Sequence, residues 1–174
     1  MTSYAIFLRG VNVGGITIKM AELRTTLEAL PIANVRTILA SGNVLADSDL
    51  SAPKLKETIE GSLRARFGYD AWVIILTTDR VTELVGACPY PADDATMHTY
   101  ITLASDASAL DELSAAAADD HDGEPVRLGP EAIAWKAPVG GTLESAVSKL
   151  TSAARYKRTT TTRNVRTLLK MNPS

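Results

Sequence analysis

Tyr4-Ala5-Ile6-Phe7-Leu8-Arg9-Gly10-Val11-Asn12-Val13-Gly14-Gly15 decides how the first half of the chain is read. Tyr4–Leu8 is an apolar run of strand length. Downstream, Met20–Leu30 places Met20, Leu23, Leu27 and Leu30 at spacings of three and four, the buried stripe of a helix. Between the two lie glycines, an arginine and an asparagine. Glycines in a strand-to-helix connection let backbone N–H groups approach a ligand, and a helix start adds partial positive charge, so phosphate cradles are often built this way. The stretch matches neither the G-x-x-x-x-G-K-S/T phosphate loop nor the G-x-G-x-x-G dinucleotide turn. A turn that only reverses the chain is the plainer reading of a lone Gly-Gly.

Working outward, Pro31 stops the helix and Val35–Ala40 reads as a second strand. Ser41-Gly42-Asn43 reads as a turn in which Gly42 and Asn43 can take positive φ, and Val44–Ala46 as a short returning strand. Ala52–Phe67 is a helix with Leu55, Ile59 and Leu63 on one face and Gly68 as its stop; Ala71–Leu76 is the fourth strand. The order β-α-β-β-α-β is the ferredoxin-like arrangement. Right-handed crossovers make the first two strands parallel, so both end at one edge of the sheet. Arg9, Asn12, Gly14 and Gly15 on one connection and Ser41 and Asn43 on the other therefore share that edge and form the first candidate ligand site. The structural alternative is that Arg9 and Asn43 only hydrogen-bond carbonyls left over at the sheet end.

The second half reads as helix Thr78–Ala87, a Cys88-Pro89-Tyr90-Pro91 connector, strand His98–Ala104 and helix Ala107–Ala118 capped by Ser105 or Asp106. A polar Asp119–Gly123 loop follows, then a hairpin of Pro125–Leu128 and Ala132–Ala137, then Pro138-Val139-Gly140-Gly141-Thr142 into helix Leu143–Ala153. The expected organisation is an α+β chain: a ferredoxin-like subdomain over residues 1–78, packed on a second, smaller α+β subdomain over 79–174 that ends in a basic helix.

Charge is unevenly distributed. Asp79–Glu131 holds twelve acidic and two basic residues, whereas Ser145–Ser174 holds seven basic residues and no acidic one. Such asymmetry suits an anionic partner, or an internal pairing of the acidic middle with the basic end. In that basic segment Thr159–Thr162 precede Arg163-Asn164 and a short amphipathic helix with Val165, Leu168, Leu169 and Met171. Thr162 reads as the N-cap, and Arg163 in the first turn then opposes the helix dipole and calls for a carboxylate or a bound anion. Lys149, Thr162, Arg163 and Asn164 form the second candidate site.

Only 5% of residues are Phe, Trp or Tyr, so a core built on the 45% hydrophobic fraction is mostly aliphatic. No apolar run approaches the roughly 20 residues of a membrane span. The start lacks the features of a signal peptide, and the single Cys88 excludes an internal disulfide; a cytoplasmic protein without membrane association is expected. Chemistry is thinly provided. His98 and His121 with one cysteine make no zinc set, and Asp119, Asp120 and Asp122 lack the calcium-loop pattern, so neither metal nor cofactor is expected.

Several ordered blocks carry a resemblance: Leu8–Gly15, Lys19-Met20-Ala21-Glu22-Leu23-Arg24, Val35-Arg36-Thr37 into Ser41-Gly42-Asn43-Val44, and Thr161-Thr162-Arg163-Asn164 with Thr167. Together they resemble the bacterial family called domain of unknown function 1697. The resemblance implies two small α+β subdomains, the first ferredoxin-like, and no activity. In the closing motif the family usually places an aromatic after the asparagine, where this chain has Val165.

Three functions stay open on the residues. The working reading is a module that binds a phosphate-bearing ligand, a nucleotide or a nucleic acid, at the Arg9–Gly15 edge. Nucleic acid is the weaker half, since pI ≈ 5.7 and a lone Tyr156 in the basic segment fall short of its usual signature. An enzyme acting on a small phosphorylated metabolite and a non-catalytic assembly domain are the alternatives. The oligomeric state is not legible in the sequence.

Overall fold

The computed structural model describes residues 1–9, 17–118, 125–141 and 146–172. They fall into two compact units: Met1–Val81 together with the stretch from Lys170, and Thr82–Leu169. Each is a helix-covered antiparallel sheet. No helix of the described residues is long and apolar enough to cross a membrane.

The first unit runs β1 (Thr2–Arg9), α1 (Met20–Glu28), β2 (Ala33–Ile38), β3 (Asn43–Ser48), α2 (Ala52–Phe67) and β4 (Trp72–Thr77), in sheet order β2-β3-β1-β4. Every neighbouring pair is antiparallel, the ferredoxin-like topology read from the element order. Strand alternation sorts the side chains. Tyr4, Ile6 and Leu8 of β1 join Leu23 and Leu27 of α1 and Leu55, Ile59 and Leu63 of α2 in one core, so the two helical stripes cover the same sheet face. Ala5, Phe7 and Arg9 point to the opposite face. Gly68, at φ 67°, ends α2 in the left-handed conformation that glycine adopts without steric penalty.

β4 is an edge strand, and α2 screens its outer side. Lys56, Glu60 and Arg64 recur every four residues, in a row along one flank of the helix. Lys56 Nζ donates to Val73 O, Val73 N–H donates to Glu60 Oε1 at 3.1 Å, and Arg64 Nη2 donates to Ala71 O at 3.1 Å. Glu60 and Arg64, four residues and about 6 Å of rise apart on the helix, reach Val73 and Ala71, two residues and ~6.6 Å apart on the strand, and Lys56 joins Glu60 at Val73. Polar side chains thus occupy positions that a fifth strand would otherwise fill.

The second unit runs α3 (Thr78–Ala87, which crosses the boundary between units), β5 (Met97–Ala104), α4 (Ala107–Ala116), β6 (Val126–Gly129), β7 (Ala132–Pro138), α5 (Ala146–Thr151), α6 (Ala154–Lys157), β8 (Thr160–Asn164) and α7 (Val165–Leu169). Its sheet order, β6-β7-β5-β8, repeats that of the first unit strand for strand. The loop at 119–123, with His121, and the start of the helix expected at Leu143 lie outside the described residues.

The repeat extends to the register. Leu8 N–H donates to Gly42 O at 2.8 Å in the first unit, and Ala104 N–H donates to Glu131 O at 2.8 Å in the second. The β1 end at Arg9 therefore corresponds to Ser105, and Trp72, opposite Arg9, corresponds to Thr159. On the helix face of the second sheet Trp135 is 2% exposed, stacks on Tyr100 with centroids 4.8 Å apart, and donates through Nε1 to Thr102 Oγ1 at 2.9 Å. Thr102 Oγ1 is in turn 2.8 Å from Thr162 Oγ1.

Two local expectations are corrected. Thr160–Asn164 is an edge strand paired with β5, not the approach to a helix, because β-branched threonines suit a pleated surface. Thr162 is therefore not the N-cap; Asn164 is, accepting from Arg166 N–H through Oδ1 at 2.9 Å. Arg163 leaves the first helical turn with it, and the dipole conflict disappears. In the β2–β3 turn the left-handed residues are Leu39 (φ 59°) and Gly42 (φ 81°), while Asn43 already belongs to β3.

Candidate functional site

Of the first candidate edge, Arg9, Ser41 and Asn43 are described, and they lie in the first unit. β1 lies between β3 and β4, so Arg9 ends a central strand. The turn after β2 is fixed beside it by the Leu8–Gly42 hydrogen bond. Asn43, fully buried, braces that turn by donating from Nδ2 to Ile38 O at 2.9 Å and to Ser41 Oγ at 2.8 Å. Its side chain is spent on the fold, so Asn43 positions the turn, while Ser41 is exposed at its tip. Arg9 is half-buried, and loss of hydration holds its guanidinium pKa below the usual arginine value. Asn12, Gly14 and Gly15 lie outside the described residues.

Sequence reasoning missed two members of this edge. Trp72 stands directly opposite Arg9 in the β1–β4 ladder, and the Arg64 guanidinium carbon lies 4.9 Å from the Trp72 ring centroid. Neither carries a motif; only strand register brings them to Arg9. Tyr69, packed against the first core, has its Oη buried with no hydrogen-bond partner among the described residues, and burial raises its pKa.

The second candidate set does not converge. Thr162 and Asn164 share the helix face of the second sheet with Tyr100 and Thr102, whereas Arg163, between them, points to the other face. Arg163 is 8% exposed and donates to Thr161 Oγ1 at 2.6 Å and Thr162 O at 3.0 Å. Lys149 is exposed on α5. Part of the basic segment pairs internally with the acidic middle: Tyr156 donates to Glu112 Oε2 at 2.7 Å and Arg155 lies 3.8 Å from the same oxygen.

At the far end of the first sheet, Ser3, Asn34, Arg36, Asp47 and Thr78 line a cleft of about 90 Å³, below the ~300–1,000 Å³ of typical small-molecule sites. Asp47 accepts from Ser3 Oγ and from Asn34 Nδ2 (2.7 Å), and these bonds, the Asn34 one foremost, hold its pKa below the ordinary carboxylate value. A depressed folded-state pKa contributes stability that is fully present above the unfolded value near 4 and lost as pH falls through the folded value. The urea midpoint of the native chain should therefore drop more between pH 5 and pH 3 than that of Asp47→Asn; equal drops would deny Asp47 this role.

Other chemistry is sparse. Among the described residues no group of three or more His, Cys, Asp or Glu is placed to hold a metal ion. Burial raises the pKa of the Cys88 thiol, which also contacts Tyr90 O at 3.6 Å. His98 is half-buried, its Nδ1 lying 3.3 Å from Tyr100 Oη.

A family model described as "Protein of unknown function (DUF1697)" matches residues 1–133. The chain belongs to the DUF1697 family. Among solved structures it is similar to a conserved bacterial protein from Streptococcus pneumoniae, at 24% identity and a TM-score of 0.77, over 98% of this chain and 97% of that one. At that identity the likeness bears on the fold alone. No curated protein matches the chain. The DUF1697 match includes the whole Arg9–Trp72 edge and ends inside β7, before the Thr161–Asn164 block.

Proposed function

We propose that this DUF1697 protein binds a phosphate-bearing anion at the end of its first sheet, where Arg9 meets the Ser41–Asn43 turn. The observation that carries the reading is a half-buried arginine at the end of a central strand beside a turn braced by a fully buried asparagine. A guanidinium receives phosphate oxygens through paired N–H donors, and its place at the end of a central strand sets where those donors are offered. Arg64 at the same edge is engaged with Ala71 O, with Glu60 Oε2 at 3.8 Å and with the Trp72 ring, and supports the edge without receiving the anion.

A nucleic-acid partner fits the second unit poorly: Tyr156, the aromatic of the basic segment, is 3% exposed and engaged with Glu112, so it presents no stacking surface. We take the site to work in the cytoplasm, in keeping with the single cysteine.

The test is thermal unfolding of the full chain in inorganic phosphate and in ribose 5-phosphate, with chloride at matched ionic strength as control. Ligand at 100 times its Kd stabilises by about 2.7 kcal/mol, which raises Tm by about 5–10 °C for a chain of this size. Arg9→Met should abolish the shift and Arg9→Lys should retain part of it. An equal shift in Arg9→Met would place the anion elsewhere, and no shift in the native chain would refute the reading.

A further inference from the structure

Arg9 and Trp72 occupy opposite positions on neighbouring strands, and alternation turns both side chains to the face away from α1 and α2. Arg64 reaches this edge from the last turns of α2. Its hydrogen bond to Ala71 O, one residue before Trp72, anchors the guanidinium over the indole, where cation–π attraction holds it. The Arg64 side chain is 41% exposed and Trp72 partly so. An indole thus stands with one guanidinium across the ladder from it and another over its ring.

This combination has a specific chemical reading. Guanidinium groups receive phosphate oxygens through paired N–H donors, and an indole offers a flat, weakly selective surface on which a nucleobase stacks. Neighbouring strands are about 5 Å apart, a separation comparable with that of base and 5′-phosphate in a mononucleotide. We propose that the ligand of this site is a nucleotide, with Trp72 stacking the base and Arg9 holding the phosphate, while Arg64, bound to Ala71 O and 3.8 Å from Glu60 Oε2, braces the indole. The inference rests on the phosphate reading above and adds to it the identity of the second half of the ligand. The duplicated fold sharpens it: the second unit has Ser105 and Thr159 where the first has Arg9 and Trp72, so the chain carries this set once among the described residues.

The experiment titrates the full chain with AMP, ribose 5-phosphate and inorganic phosphate, read by calorimetry and by tryptophan fluorescence. The chain has two tryptophans, and Trp135, buried in the other core, supplies a constant background. AMP should bind about fivefold or more tightly than ribose 5-phosphate and quench the emission of Trp72. Trp72→Leu should reduce AMP to the affinity of ribose 5-phosphate while leaving inorganic phosphate unchanged, and Trp72→Phe should keep most of the preference. If Trp72→Leu fails to fold, the comparison of AMP with ribose 5-phosphate on the native chain, with Trp72→Phe, decides alone. Equal affinities for AMP and ribose 5-phosphate, both lost in Arg9→Met, overturn the nucleotide inference and leave the phosphate reading standing. A preference for AMP that survives in Trp72→Leu overturns the role given to Trp72. No binding of any of the three overturns both.

Discussion

Trp135→Ala should lower stability by about 3–5 kcal/mol, the range for deleting a buried aromatic. Trp135 is 2% exposed among the residues of the second core, and alanine leaves a cavity between β7 and the helices above it. The polar side of the ring matters as well. Its Nε1–H is donated to Thr102 Oγ1, and Thr102 is fully buried, so the hydroxyl loses a partner that water cannot replace. Trp135→Phe separates the two contributions: most of the ring stays while the donor goes, and the loss should fall to about 1–2 kcal/mol. Denaturant unfolding followed by circular dichroism measures both, with an unchanged m-value as the sign that compactness is retained. A loss below about 1 kcal/mol for Trp135→Ala would show that the surroundings collapse to fill the space.

Glu60→Ala should cost about 2–3 kcal/mol, because Glu60 is a charged acceptor for a backbone donor on an edge strand. Glu60 is 8% exposed, accepts from Val73 N–H at 3.1 Å, and pairs with Lys56, which itself holds Val73 O. Alanine leaves the Val73 N–H without its acceptor and Lys56 without its counter-charge. Glu60→Gln keeps an acceptor and gives up the charge, so about half of the loss should return. A native-like urea midpoint for Glu60→Ala would mean that water satisfies the β4 edge as well as the helix does.

What the sequence made legible was what periodicity encodes. Leu23 and Leu27, and Leu55, Ile59 and Leu63, are buried where their helical spacing put them, and the β-α-β-β-α-β order produced the observed sheet. Thr160–Asn164 escaped because strand reading relies on apolar alternation, and this strand is three threonines followed by arginine and asparagine, with no apolar residue. The repeated topology escaped for a related reason: the corresponding positions Arg9 and Ser105, or Trp72 and Thr159, share geometry without sharing chemistry. At the candidate site Arg9 and the Ser41–Asn43 turn could be placed on one edge from topology. Trp72 and Arg64 could not, because the β1–β4 register and the reach of a long side chain over a ring are properties of the assembled sheet.

The grouping of the stretch from Lys170 with Met1–Val81 has a consequence for how the molecule folds. Met171 in that stretch is fully buried, and the whole of Thr82–Leu169 separates it from the rest of its unit. The first unit is thus discontinuous in sequence, and closing it requires a contact of long sequence separation, the kind whose loop-closure entropy slows folding.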